Sequence, residues 1–90
     1  MSDAPTETLL TFPCDFPIKA MGKHKDDFAQ IILAIVLKHA PDFQADTIEV
    51  RASEKANYLS VTCTIRAQSK EQLDAIYREL TAHPDVLMAL

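Results

Sequence analysis

Tyr58-Leu59-Ser60-Val61-Thr62-Cys63-Thr64-Ile65-Arg66-Ala67 alternates without a break. Leu59, Val61, Cys63 and Ile65 fall on one side, and Tyr58, Ser60, Thr62, Thr64 and Arg66 on the other. Successive side chains of an extended chain point to opposite faces, so this stretch is a strand with one dry and one wet face. Val61, Thr62, Thr64 and Ile65 are β-branched, which suits a pleated, half-buried surface. A dry face needs a covering layer, and the flanking sequence supplies one.

Downstream, Ser69-Lys70-Glu71-Gln72 reads as a capping box, with the serine accepting from a free backbone N–H and Gln72 reaching back. Leu73, Ile76, Tyr77 and Leu80 then recur at helical spacing, and Asp74 and Arg78 stand as an i,i+4 pair. His83-Pro84 ends this helix, and Asp85 to Leu90 forms a last strand. Upstream, Thr47 to Ala52 alternates as a strand, joined to the strand at Tyr58 by the polar segment Ser53–Asn57. Before it lies a helix beginning near Lys25 or Asp26, with a stripe of Phe28, Ile31, Ile32 and Ile35 and a stop at Pro41. The first strand places Phe16, Ile18 and Ala20 on one side and Pro17, Lys19 and Met21 on the other. It ends at Gly22, read as the residue that takes a left-handed turn.

The order β-α-β-β-α-β predicts an α+β fold. It is the ferredoxin-like βαββαβ sandwich, a four-stranded antiparallel sheet with both helices on one face. The opposite face should carry Lys19, Glu49, Arg51, Tyr58, Ser60, Thr62, Thr64 and Arg66, a polar surface open to water or a polar partner. Ninety residues make one domain, with residues 1–8 as a polar, frayed tail and 9–90 as the ferredoxin-like unit. Leu9, Leu10 and Phe12 are expected to dock on its body.

Composition removes several function classes. One glycine in 90 residues excludes the Rossmann and P-loop fingerprints, which need at least two. A net charge of −4 argues against a general nucleic-acid binder, and the predicted strand at Tyr58 lacks the aromatic motifs of RNA-recognition sheets. The longest apolar run, Ile31 to Leu37, is far short of a membrane span, which needs about 18 residues. The opening residues carry no basic and apolar leader pattern, so a soluble, cytoplasmic protein is expected. Cys14 and Cys63 form no CxxC pair and read as reduced, structural thiols. His24, His39 and His83 have no second ligand at metal spacing, and no cofactor is expected.

Three regions remain as candidates. The loop Gly22, Lys23, His24, Lys25, Asp26 and Asp27 offers backbone N–H groups and cations for an anion at a helix N-terminus. Its two aspartates oppose that and favour a solvated turn. Leu33 and Leu37 read as an exposed apolar pair, covered either by the N-terminal segment or by another subunit or partner protein. Tyr58 and Arg66 mark the open sheet face. An enzyme working there with Tyr58, Arg66 or His24 would lack a nucleophile–base pair, and the loop has no arginine of the kind acylphosphatases use for phosphate.

Phe12-Pro13, Phe16 through Gly22, His39-Ala40-Pro41, the hairpin residues Ser53, Lys55, Asn57, Tyr58, Ser60 and Val61, and the closing Val86–Leu90 together resemble the YbeD-like family of small bacterial proteins. The resemblance covers residues 9 to 90 and implies the same ferredoxin-like fold. It also implies likeness to ACT-type regulatory modules that bind small molecules, and a link to lipoate metabolism drawn from gene neighbourhood. Two departures stand out. Lys19 and Ala20 occupy the region where ACT-type modules place an acidic residue before the loop glycine, and Ala56 stands where a hairpin glycine is common. The expected function is therefore a non-enzymatic regulatory or adaptor domain that binds a partner protein or small metabolite, at the 22–27 loop or between paired sheets. A small enzyme and a structural homodimer meeting through Leu33 and Leu37 are the alternatives.

Overall fold

The computed structural model describes residues 11–90. The expectations for the 1–8 tail and for Leu9 and Leu10 lie outside that range. The described chain runs β1 (Cys14–Lys23), α1 (Phe28–His39), β2 (Glu49–Ala52), β3 (Tyr58–Ala67), α2 (Lys70–Ala82) and β4 (Val86–Ala89), with a short 3-10 turn at Ala45–Thr47. All strand pairs are antiparallel, and the sheet order is β2-β3-β1-β4. This is the ferredoxin-like arrangement expected from the sequence.

The alternation of β3 survives in three dimensions. Leu59, Val61, Cys63, Ile65 and Ala67 are buried and the intervening residues are not. They pack with Ile18 and Ala20 of β1, Phe28, Ile32, Ile35 and Val36 of α1, and Leu73, Ile76 and Leu80 of α2 in one core. α1 ends at His39 with Ala40 as its cap, as the proline at 41 requires. Its N-terminus falls two or three residues later than expected, with Asp27 in the cap position.

Several local expectations are corrected by the contacts observed. β2 begins at Glu49 rather than Thr47, because the Thr47 hydroxyl and N–H both donate to the Gln44 carbonyl (2.7 and 3.0 Å) and close the 3-10 turn. All four β2 residues are exposed, so the strand is a sheet edge. In α2, Ser69 caps as expected, its Oγ accepting from the Gln72 N–H at 3.1 Å. The Gln72 side chain, however, accepts from the N–H of Gln68 (2.7 Å) and donates to the carbonyl of His39 (2.9 Å), so it joins the two helices. Asp74 pairs with Lys70 at 2.9 Å rather than with Arg78.

Leu33 and Leu37 are also corrected. They are half-buried and packed against the core, not an exposed pair. Val36 is fully buried, which widens the covered arc of α1 beyond the Phe28–Ile35 stripe toward them. His39 lies on the same stripe near the helix end, and its Nε2–H donates to Glu79 of α2 at 2.7 Å, while Lys38 reaches the other oxygen of Glu79 at 3.2 Å. These contacts hold the Glu79 carboxyl below its ordinary range, the His39 hydrogen bond being the larger cause. His39 is thus an interhelix tie, in keeping with the structural role read for it.

Candidate functional site

The β1–α1 loop is held at both sides. Its backbone and one side chain reach the β2–β3 hairpin: the His24 N–H donates to the Asn57 carbonyl (2.9 Å), and His24 Nδ1–H donates to the Ala56 carbonyl (2.8 Å). Its other side meets the start of β4, where Lys25 Nζ bonds to Asp85 at 3.0 Å. The Asp85 partner, by hydrogen bond and by charge, raises the Lys25 ammonium above its ordinary pKa. Lys25 is therefore matched to a carboxylate of the same chain, but to Asp85 beside β4 and not to the loop's own Asp26 or Asp27. Lys23, Lys25, Pro84, Asp85 and Leu87 line a recess of about 250 Å³ here, while Asp26 is simply exposed.

Gly22 needs a different explanation from the one its sequence position offers. It has no positive φ and lies inside β1, opposite Leu59 on one side and Val86 on the other. A Cβ there would sit 2.2 Å from the Asp85 carbonyl oxygen and 2.5 and 2.7 Å from two ring carbons of Phe28. The glycine is required by close approach, not by a turn. It also marks the irregularity in pairing where β4 shifts register between Met21 and Gly22. Among the described residues the left-handed one is Ala56 (φ 57°), in the hairpin that His24 holds.

The second candidate region is the face of the sheet turned away from the helices. Strand register puts Asp15 opposite Arg66, Pro17 opposite Thr64, Lys19 opposite Thr62, Met21 opposite Ser60 and Lys23 opposite Tyr58, with Glu49 and Arg51 of β2 beyond Thr62 and Ser60. The eight residues expected on this face are all there. Asp15, Met21, Lys23 and Met88 join them, the last as the partner of Met21. Four cations (Lys19, Lys23, Arg51, Arg66) thus share the face with two carboxylates (Asp15, Glu49), in a chain whose net charge is −4. Arg66 and Asp15 form an ion pair of 3.2 Å that leaves most of the guanidinium donors unused.

At the end of this face, Asp15, Asp42, Phe43, Gln44, Thr47, Thr64 and Arg66 surround an open cavity of about 420 Å³. Asp42 to Thr47 were not among the residues that the sequence singled out. The available signal was the matched placement of Asp15 and Arg66 near opposite ends of two antiparallel strands. The segment after Pro41 gave no periodic pattern to place it. Other chemistry-bearing residues lie outside these two regions. Cys14 and Cys63 are free thiols, and burial pushes Cys63 up to about 11. His83 Nδ1 accepts from the Asp85 N–H at 3.0 Å, shaping the turn before β4. Tyr77, its phenol raised by burial, donates to the Leu90 carbonyl at 2.7 Å and meets the Phe16 ring edge-on. Among the described residues no helix is long and apolar enough to cross a membrane.

Comparison with known proteins agrees with this frame. The chain is similar to the solution structure of protein HP0495 from H. pylori, with a TM-score of 0.72 at 14% identity, over 100% of this chain and 98% of that one. At such identity the likeness concerns the fold. Among curated proteins, it is 54% identical over 84 residues to UPF0250 protein NE1487 of Nitrosomonas europaea (93% of this chain, 97% of that protein). It is 51% identical over 86 residues to UPF0250 protein RSc0326 of Ralstonia nicotianae (96% and 89%). The family model described as "Protein of unknown function (DUF493)" matches residues 7–90, and the YbeD-like resemblance of the sequence points the same way. The chain belongs to this DUF493 family.

Proposed function

We propose that the chain is a non-catalytic, cytoplasmic regulatory or adaptor domain that binds a partner protein on its open sheet face. One observation carries the reading. A whole sheet face, uncovered by either helix, gathers a surplus of cations on an acidic chain and sets Met21, Met88 and Tyr58 among them. Such a face is matched by an acidic segment with an apolar anchor, because opposite potentials steer encounter and apolar contact holds the complex. The same βαββαβ frame, used by ACT-type modules for regulation, fits a domain with little chain left over for catalytic apparatus.

The test is capture from native lysate by the wild-type chain and by a Lys19→Glu, Arg51→Glu double variant. Both residues are exposed, so the variant should keep its far-UV spectrum and melting temperature. A protein retained by wild type and lost by the variant supports the reading. Equal capture by both, or none by either, refutes it. A second reading, a small charged metabolite in the cavity between Arg66 and Asp42, is favoured by its volume, within the ordinary 300–1,000 Å³ range of ligand sites. A metabolite at about 100 times its Kd adds about 2.7 kcal/mol of stability, so a thermal-shift panel that moves wild type but not Arg66→Ala would select it.

A further inference from the structure

We propose that β4 is the edge through which two copies of this chain join, strand against strand and antiparallel, so that the sheet continues across a twofold axis. The order β2-β3-β1-β4 leaves two edges, and they are built differently. β2 carries Glu49 and Arg51 among its four residues. From Val86 to Leu90 there is neither charge nor proline. Leu87, Met88 and Leu90 are 58%, 51% and 62% exposed, three of the five large apolar side chains left uncovered among the described residues. Natural edges are ordinarily guarded by charges, prolines or bulges. Here the guard is confined to the register shift beside Val86.

The backbone is also prepared for pairing. Leu90 exchanges both its N–H and its C=O with Lys19 of β1, at 2.7 and 3.0 Å. Because hydrogen-bonded and non-bonded positions alternate along an antiparallel pair, the N–H and C=O of Ala89 are turned away from β1, toward the place of a further strand.

A second copy is the occupant that fits this edge. The edge calls for an extended, apolar, uncharged strand with free backbone groups of its own, and β4 of another chain is that strand. Identical edges meet antiparallel about a twofold axis, the commonest symmetry of soluble oligomers. Electrostatics agrees. Two chains of net charge −4 repel in general, and Val86 to Leu90 adds no charged side chain to that repulsion. The apolar surface is small: three half-exposed side chains per copy fall short of the ~800 Å² per partner of a standard interface, which makes the dimer weak and concentration-dependent. This association runs through the backbone of the edge strand, while Met88 also stands beside Met21 on the open face. The Lys19→Glu, Arg51→Glu variant separates the two readings, because it should leave the dimer intact.

Sedimentation equilibrium from about 1 μM to about 1 mM, the span of weak association, is the direct test. The mass should climb from one chain toward two. Met88→Lys, at an exposed position, should keep the circular dichroism spectrum and melting temperature and raise the dimer dissociation constant at least about tenfold. On a Cys14→Ser background, Met88→Cys should oxidise to a disulfide-linked dimer, whereas Ala34→Cys on the exposed side of α1 should not. A single-chain mass at every concentration overturns the proposal. So does a dimer indifferent to Met88→Lys, or crosslinking at residue 34 in place of 88. A chain that stays single and loses binding to another protein in Met88→Lys, but not in Lys19→Glu, Arg51→Glu, assigns the edge to that protein instead.

Discussion

Replacing Gly22 by alanine separates two accounts of the one glycine in this chain. A new Cβ would lie 2.2 Å from the Asp85 carbonyl oxygen and 2.5 and 2.7 Å from the Phe28 ring. Neither neighbour yields easily. The carbonyl is backbone at the head of β4, beside the Lys25–Asp85 ion pair, and the Phe28 ring is fully buried in the core. Overpacking typically costs about 1–3 kcal/mol and occasionally more, and a clash against backbone belongs at the upper end. Alanine recovers about 0.5–1 kcal/mol of the entropy that glycine loses on folding. The net expectation is a loss of about 2–3 kcal/mol. A domain of this size shifts by about 4–8 °C per kcal/mol, so the melting temperature should fall by roughly 10–20 °C. Thermal and urea unfolding followed by circular dichroism measure it. Gly22→Asn is the control: asparagine tolerates a left-handed backbone, so under a turn requirement it would be milder than alanine, whereas under close approach it is at least as damaging. A loss below about 1 kcal/mol for alanine, or a milder asparagine, refutes the close-packing account.

Three further outcomes follow from other sites. Ala56→Gly should stabilise by about 0.5–1 kcal/mol, because a left-handed residue with a Cβ costs about 1–2 kcal/mol and glycine returns part of that as entropy; unchanged urea unfolding would contradict it. Cys63, buried and raised to about 11, should resist a thiol reagent at pH 8 in the folded chain and react on unfolding, with Cys14, at the half-buried start of β1, the faster of the two. The same shift favours the protonated thiol in the fold, so its contribution is full below the ordinary thiol pKa of 9.0 and is lost as pH rises toward 11. Cys63→Ala should flatten that alkaline loss even though it lowers stability overall. Glu79 is displaced the other way: its carboxyl is lowered in the fold, so its contribution is present above the ordinary value of 4.5 and lost as pH falls through the lower folded value. Glu79→Gln should remove that part of the acid limb, and an acid limb identical to wild type would show that the His39 tie is not linked to stability.

The sequence by itself determined what depends on near neighbours along the chain. β3 was legible to the residue from strict alternation, the end of α1 from Pro41, and the α2 start from Ser69, whose hydroxyl needs only the N–H three residues on. Set together, those elements left one topology, and the open face followed from alternation alone. Tertiary structure decided everything that depends on residues meeting across the sheet. Gly22 looks like a turn glycine until Asp85 and Phe28 are placed against it. His24 looks like a free loop cation until the hairpin carbonyls of Ala56 and Asn57 reach its ring and N–H. The surplus of cations on one face of an acidic chain exists only once register aligns β1, β3 and β2, and β4 becomes an unguarded edge only once it pairs with β1. The physical reason is one of range. Periodicity, caps and prolines act through bonds and contacts within a turn or two. Close approach, charge segregation and edge exposure are properties of which strands lie side by side.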